Sequence, residues 1–154
     1  MGDWILLAYR LPREPSTPRF ALWRRLRRLG AAQLLDGLVA LPLGADNREQ
    51  LERAADAVLE AGGEASLWTA QPATADQERE LTGRMATAVA ADYLAVVAAA
   101  EATREQSSEA RRRALGRLRR TLRAIRARDH FLPPERDAAA RAVEELATQV
   151  DLVT

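Results

Sequence analysis

Apolar positions along this 154-residue chain change their spacing near residue 70. Before it, short apolar runs alternate with helical repeats; after it, the spacing is helical throughout. WILLAY, residues 4–9, is rich in β-forming side chains and is closed by LPREPSTP, so it reads as a buried strand and a loop. Thr17 then caps a helix whose first position, Pro18, loses no useful N–H. On that helix Leu22, Trp23, Leu26 and Leu29 share one face, Arg24, Arg25, Arg27 and Arg28 lie opposite, and Phe20 falls toward the polar arc. Gly30 ends it. AQLL-DG-LVAL, residues 32–41, sets two short strands around Asp36-Gly37, two residues that tolerate positive φ. Asp46 caps a second helix with Leu51, Ala54, Ala55 and Val58 in phase, ended by Gly62-Gly63, and EASLWTA alternates as a last strand. Strands are thus predicted near 3–9, 31–35, 38–42 and 64–70, with helices near 18–29 and 47–61. The order βαββαβ is a ferredoxin-like α+β sheet domain over residues 1–72.

Residues 73–154 predict a helical extension, a hairpin or three helices, packed on the sheet to give one compact domain. Thr74 with Gln77 reads as a capping box, and only Gly83 interrupts helical character before Gln106. Ser107 or Ser108 caps the next helix, where Leu115, Leu118, Leu122 and Ile125 follow 3-4-3 spacing inside an arginine-rich surround. Pro133-Pro134 starts the last helix, with a matching seam of Ala139, Val143, Leu146 and Val150.

Charge redraws this picture. The net charge is only +1 and all 23 basic residues are arginine. Residues 10–28 hold seven arginines and one acid, and residues 110–128 hold nine arginines and none. Residues 29–109 hold five arginines against 14 acids, and residues 129–154 two against six. Two cationic segments therefore sit in an otherwise acidic chain. The chain has no cysteine and a single histidine, His130, which excludes disulfides, thiolate chemistry and a zinc cage of Cys and His ligands. His130 reads as structural, and Trp4, Trp23 and Trp68 as core. The apolar run before Arg10 is too short for a signal-peptide core. No stretch is expected to supply the roughly 20 apolar residues of a membrane span, and the expected location is the cytoplasm.

The run WILLAYRLPREPSTPRFALWRRLRRLGAAQLLDGLVALP, with AGGEASLW and ARDHF further on, resembles the N-terminal domain of the chromate-resistance regulator ChrB. Such domains are similar in turn to the ferredoxin-like small proteins of CRISPR adaptation and to the central domain of PaaX-type repressors. The resemblance implies bacterial, cytoplasmic, transcription-linked regulation of an oxyanion resistance system. Family members usually continue into a second domain, so a chain ending at Thr154 reads as a piece of a longer protein or a stand-alone version. The nuclease-active CRISPR relatives end their first strand in a Y-D-x-P-like pattern whose carboxylate holds a metal. Here the run is Tyr9-Arg10-Leu11-Pro12, and arginine cannot ligate a metal. No catalytic residue, metal or cofactor is expected.

Two surfaces remain as candidates. Arg111, Arg112, Arg113, Arg117, Arg119, Arg120 and Arg123 form a candidate nucleic-acid surface, duplex DNA being the expected partner through phosphate neutralisation. The competing reading is a protein-interaction or dimerisation module whose arginines are a solvated face, paired with Glu101, Glu105, Glu144 and Glu145. No aromatic interleaves that helix, which argues against single-strand stacking there, and no helix-turn-helix signature accompanies it. Arg10, Arg13, Ser16, Thr17 and Arg19 form a candidate anion pocket at a helix N-terminus for chromate, sulfate or phosphate; the alternative is a proline-stiffened loop with an ordinary cap. Chromate enters only through the family resemblance. Arg24 to Arg28 read mainly as a solvated helix face. No membrane partner is expected, and the edge strands make a second copy of the chain a candidate partner.

Overall fold

The computed structural model describes residues 2–153. Its elements run β1 (Trp4–Arg10), α1 (Thr17–Leu29), β2 (Ala32–Leu35), β3 (Leu38–Pro42), α2 (Ala45–Glu60), β4 (Glu64–Ala70), α3 (Ala75–Ala102), α4 (Ser108–Ala127) and α5 (Glu135–Val153). The fold is the expected ferredoxin-like α+β arrangement with a helical extension. By compactness the chain divides into two units, Met1–Gly83 and Arg84–Thr154, and α3 begins in the first and continues into the second.

In the first unit the four strands form an antiparallel sheet in the order β2-β3-β1-β4. The pleat sends Ile5 and Leu7 to one face, and register places Leu7 opposite both Val39 and Leu67. That face meets Leu22 and Leu26 of α1 and Leu51, Ala54 and Val58 of α2 in one apolar cluster. Leu7, Leu41 and Leu51 are wholly buried there. The β2–β3 turn closes on the Leu35–Leu38 pair, with a register irregularity between Gln33 and Leu35. Only Gly37 in that turn takes positive φ, at 78°; Asp36 does not, contrary to expectation, and the irregularity absorbs the difference in twist. Gly37 also lies against β1. Its carbonyl accepts from the Tyr9 N–H at 2.8 Å, and a Cβ on it would stand 2.5 Å from the Tyr9 carbonyl oxygen.

Several local expectations shift. Ser16, not Thr17, is the N-cap of α1, with Pro18 one position further in, and its hydroxyl makes no capping bond. Gly44 in extended backbone caps α2, and Asp46 instead lies in the first turn, where its charge still meets the positive end of the helix. Thr74 does cap α3, its hydroxyl accepting from the Gln77 N–H at 3.1 Å. Trp4 is core, but Trp23 is 53% and Trp68 61% exposed. Strand alternation explains Trp68: Leu67 takes the helix-covered face, so its neighbour takes the opposite one, where its indole N–H donates to Ser66 Oγ at 2.8 Å. Trp23 lies about 100° round α1 from Leu22, at the rim of the buried stripe rather than within it.

The second unit is built on the seams read from spacing. Leu115, Leu118, Leu122 and Ile125 of α4 and Ala139, Val143, Leu146 and Val150 of α5 are buried with Val89, Tyr93, Val96 and Ala100 of α3 in one cluster. Ser107 caps α4, accepting from the Ala110 N–H at 3.2 Å. Between α4 and α5, Asp129 organises the chain: Oδ1 accepts from the Phe131 and Leu132 N–H groups at 3.1 and 2.9 Å, and Oδ2 accepts from the Tyr93 hydroxyl at 2.8 Å. Beside it Arg128 binds Asp92 at 2.9 Å. His130 is half-buried. By length and composition α3 is apolar enough to cross a membrane, contrary to the expectation of no such stretch. Its many alanines raise its apolar content, while Asp92 on it is held by Arg128 and Val89, Tyr93 and Val96 serve the unit's core.

Candidate nucleic-acid interface

Helix α4 follows from its sequence step by step. The Ser107 cap satisfies one free N–H, Glu109 supplies an acid to the first turn and Arg126 a base to the last, both favourable to the helix dipole. Four apolar residues at 3-4-3 spacing, with Ala114 beside them, bury one stripe, and the opposite side of the helix faces solvent. Arg112, Arg113, Arg117, Arg119, Arg120 and Arg123 are all exposed. At 100° per residue they fall into two rows: Arg112, Arg119 and Arg123 in one, Arg113, Arg117 and Arg120 in the other, about 100° apart round the helix. The run from Arg112 to Arg123 covers about 17 Å of helix axis.

Arg111, the seventh predicted residue, stands apart. It is half-buried on the seam side, and its Nη1 donates to the Gln106 carbonyl at 2.6 Å and more weakly to that of Arg104 at 3.4 Å. It ties the start of α4 to the turn after α3, so its guanidinium belongs to the loop and not to the outer face. Arg126 is exposed on α4 as well, beyond the predicted set.

Three acids of this unit are already paired. Glu145 binds Arg104 at 2.8 Å and Asp92 binds Arg128. Arg113 pairs with Glu109 of its own helix at 3.1 Å. Among the described residues, Arg112, Arg117, Arg119, Arg120 and Arg123 make no ion pair or hydrogen bond. Five guanidinium groups on one helix, unmatched by neighbouring carboxylates, make a strong local positive field.

The β1–α1 loop is laid out differently. Arg10, at the end of β1, is exposed and spans to Glu64 of β4 at 2.8 Å, which draws it out of the predicted anion cluster. Arg13, Ser16, Thr17 and Arg19 are exposed, and the first turn of α1 holds no acid. Arg19 reaches the electrostatic surroundings of Tyr9: burial raises the Tyr9 phenol above its ordinary value, Asp36 adds to the rise, and Arg19 opposes it. Among the described residues no three His, Asp or Glu side chains stand together.

Comparison with known proteins gives the lineage. The family described as Protein ChrB, N-terminal, matches residues 19–153. The chain belongs to this ChrB N-terminal family. Protein ChrB of Cupriavidus metallidurans is 35% identical over 144 residues, 90% of this chain. The chain spans 43% of that relative's length, less than half. The ChrB N-terminal match takes in α1 from Arg19 onward, the whole sheet after β1, and all of α4.

Within this ChrB N-terminal domain, one grouping escaped the sequence reading. Phe20 and Trp23 are 59% and 53% exposed on α1, and the Arg27 guanidinium carbon sits 5.0 Å from the centre of the Trp23 ring. The signal was Phe20 itself, an aromatic at a polar position of the helix, which a reading of Trp23 as core left without a neighbour.

Proposed function

We propose that this chain is a non-enzymatic, cytoplasmic regulatory module that binds duplex DNA through the outer face of α4 and serves an oxyanion, chromate-linked resistance system. One observation carries the binding reading: five of the outer arginines of α4 have no acidic partner among the described residues. Exposed ion pairs are weak, about 0–1 kcal/mol, so a face left without them is not explained by stability. Phosphate neutralisation with counterion release gives it a use. A duplex presents about ten phosphate charges along the roughly 17 Å that the arginines cover, more than enough for six. The two rows suit phosphates on either side of a helix laid along a groove about 12 Å wide. The regulatory role and the link to chromate come with membership of the ChrB N-terminal family. The test is titration of a labelled duplex at low salt with wild type and an Arg112→Gln/Arg119→Gln/Arg123→Gln variant. Tight wild-type binding that the variant weakens at least tenfold is expected. No wild-type binding would favour the competing reading, a dimerisation or protein-interaction module.

A second component is an oxyanion site built from Arg13, Ser16, Thr17 and Arg19. It is supported by a helix N-terminus with no acid in its first turn and a Ser16 hydroxyl that makes no capping bond, and charge-assisted bonds to an anion are the stronger class. Arg10 contributes less because Glu64 holds it. Calorimetric titration of chromate and sulfate should give binding heat with wild type and none with Arg13→Ala/Arg19→Ala. Equal heats from the two proteins would leave LPREPSTPR as a stiff loop.

A further inference from the structure

We propose that the outer face of α1 is a docking surface for an unpaired nucleic-acid strand, with Phe20 and Trp23 as base-stacking platforms and Arg24, Arg27 and Arg28 as phosphate contacts. The buried stripe of α1 is Leu22 and Leu26. Measured from its centre at 100° per residue, Phe20, Arg24 and Arg27 fall on the far side, while Trp23 stands at the rim, about 80° round and next to Arg27. Arg24, Arg27 and Arg28 are exposed, as are the two rings at 59% and 53%. Two large aromatics three residues apart therefore lie bare on a helix that holds five arginines and no acid.

The composition of the face selects the occupant. A hydrophobic protein groove calls for aliphatic neighbours around its aromatic anchors, and the leucines of α1 are turned inward or half-buried. An acidic peptide would satisfy the guanidinium groups but offer nothing flat to the rings. A single strand supplies both, phosphates for the arginines and π-faces for the aromatics. The Arg27–Trp23 contact fits this use: the guanidinium packs on the ring, steadies the indole and keeps positive charge beside a stacking base. This surface is independent of the duplex reading, because α1 and α4 belong to different units and only α1 carries exposed aromatics.

The test is fluorescence anisotropy of a short labelled thymidine oligonucleotide with wild type, Phe20→Ala/Trp23→Ala and Trp23→Phe. Both side chains are mostly exposed, so the substitutions leave the core intact, which circular dichroism melts verify. We expect wild type to bind, the double variant to lose about tenfold per ring removed, and Trp23→Phe to retain most of the affinity. Loss confined to the single strand, with duplex affinity unchanged, supports stacking. The proposal is overturned if wild type does not bind the oligonucleotide, if the double variant binds as well as wild type, or if single-strand and duplex affinities fall equally. It is equally overturned if wild type self-associates and the double variant does not, which would assign the face to a second copy of the chain. Failure of the α4 variants to weaken duplex binding would bear on the duplex reading alone.

Discussion

Tyr93 is wholly buried, and its hydroxyl donates to Asp129 at 2.8 Å. Burial above all, then the bond to Asp129 and its negative charge, push the Tyr93 phenol up to about 12. The unfolded chain ionises this tyrosine near its ordinary value of about 10, so below that pH both states hold the proton and no stability is at stake. As pH climbs from about 10 toward 12, the unfolded state gives up the proton first and the folded state loses stability, by about 3 kcal/mol in all. Urea unfolding followed across this range should reveal the decline, and Tyr93→Phe should flatten it. A wild-type profile as flat as that of the variant would contradict the bonded, protonated phenol. None of this was legible in the sequence. ARDHF marked the segment, but that Asp129 would reach back 36 residues to Tyr93 depends on how three helices pack. Arg111 teaches the same lesson: its residue type matched its neighbours, and only its angle round α4 turned it to the Gln106 carbonyl.

At the scale of elements, periodicity carried most of the information. The α4 and α5 seams were readable because 3-4 spacing leaves a helix one way to bury its leucines. The βαββαβ succession was readable too, and with it the ferredoxin-like sheet domain. Caps were less legible, because Ser16 and Thr17 are both competent and Gly44 gives no side-chain signal before Asp46. Trp23 was misplaced because a residue at the rim of an apolar stripe satisfies the same spacing as one within it. The β2–β3 hairpin gives a direct test of what its glycine does. Gly37 combines φ of 78° with a 2.5 Å approach of a built Cβ to the Tyr9 oxygen, whereas Gly62, at φ 83°, has open space around it. Gly62→Ala should cost about 1 kcal/mol of unfolding free energy for its backbone alone. Gly37→Ala should cost at least roughly 1 kcal/mol more, since β1 must move away. Equal costs by urea titration would remove the packing part of the argument.

Across the whole molecule, a net charge of +1 conceals cationic segments on two helices of different units. Charge counting along the chain located both segments; the exposed aromatics of α1 separate their uses. On α4 five of the six outer arginines lack an acidic partner among the described residues and no aromatic lies among them, which suits phosphate contact; on α1 the arginines are interleaved with exposed rings. The central claim, that α4 works by neutralising phosphates, is tested most directly by the salt dependence of duplex affinity. Each phosphate neutralised contributes about −0.9 to the slope of log affinity against log salt. Contact by one row predicts a slope near −2.7 and contact by both rows near −5.4. Arg113→Gln/Arg117→Gln/Arg120→Gln should make the wild-type slope shallower by up to about 2.7. A wild-type slope near zero, or one left unchanged both by this triple substitution and by Arg112→Gln/Arg119→Gln/Arg123→Gln, would contradict the account.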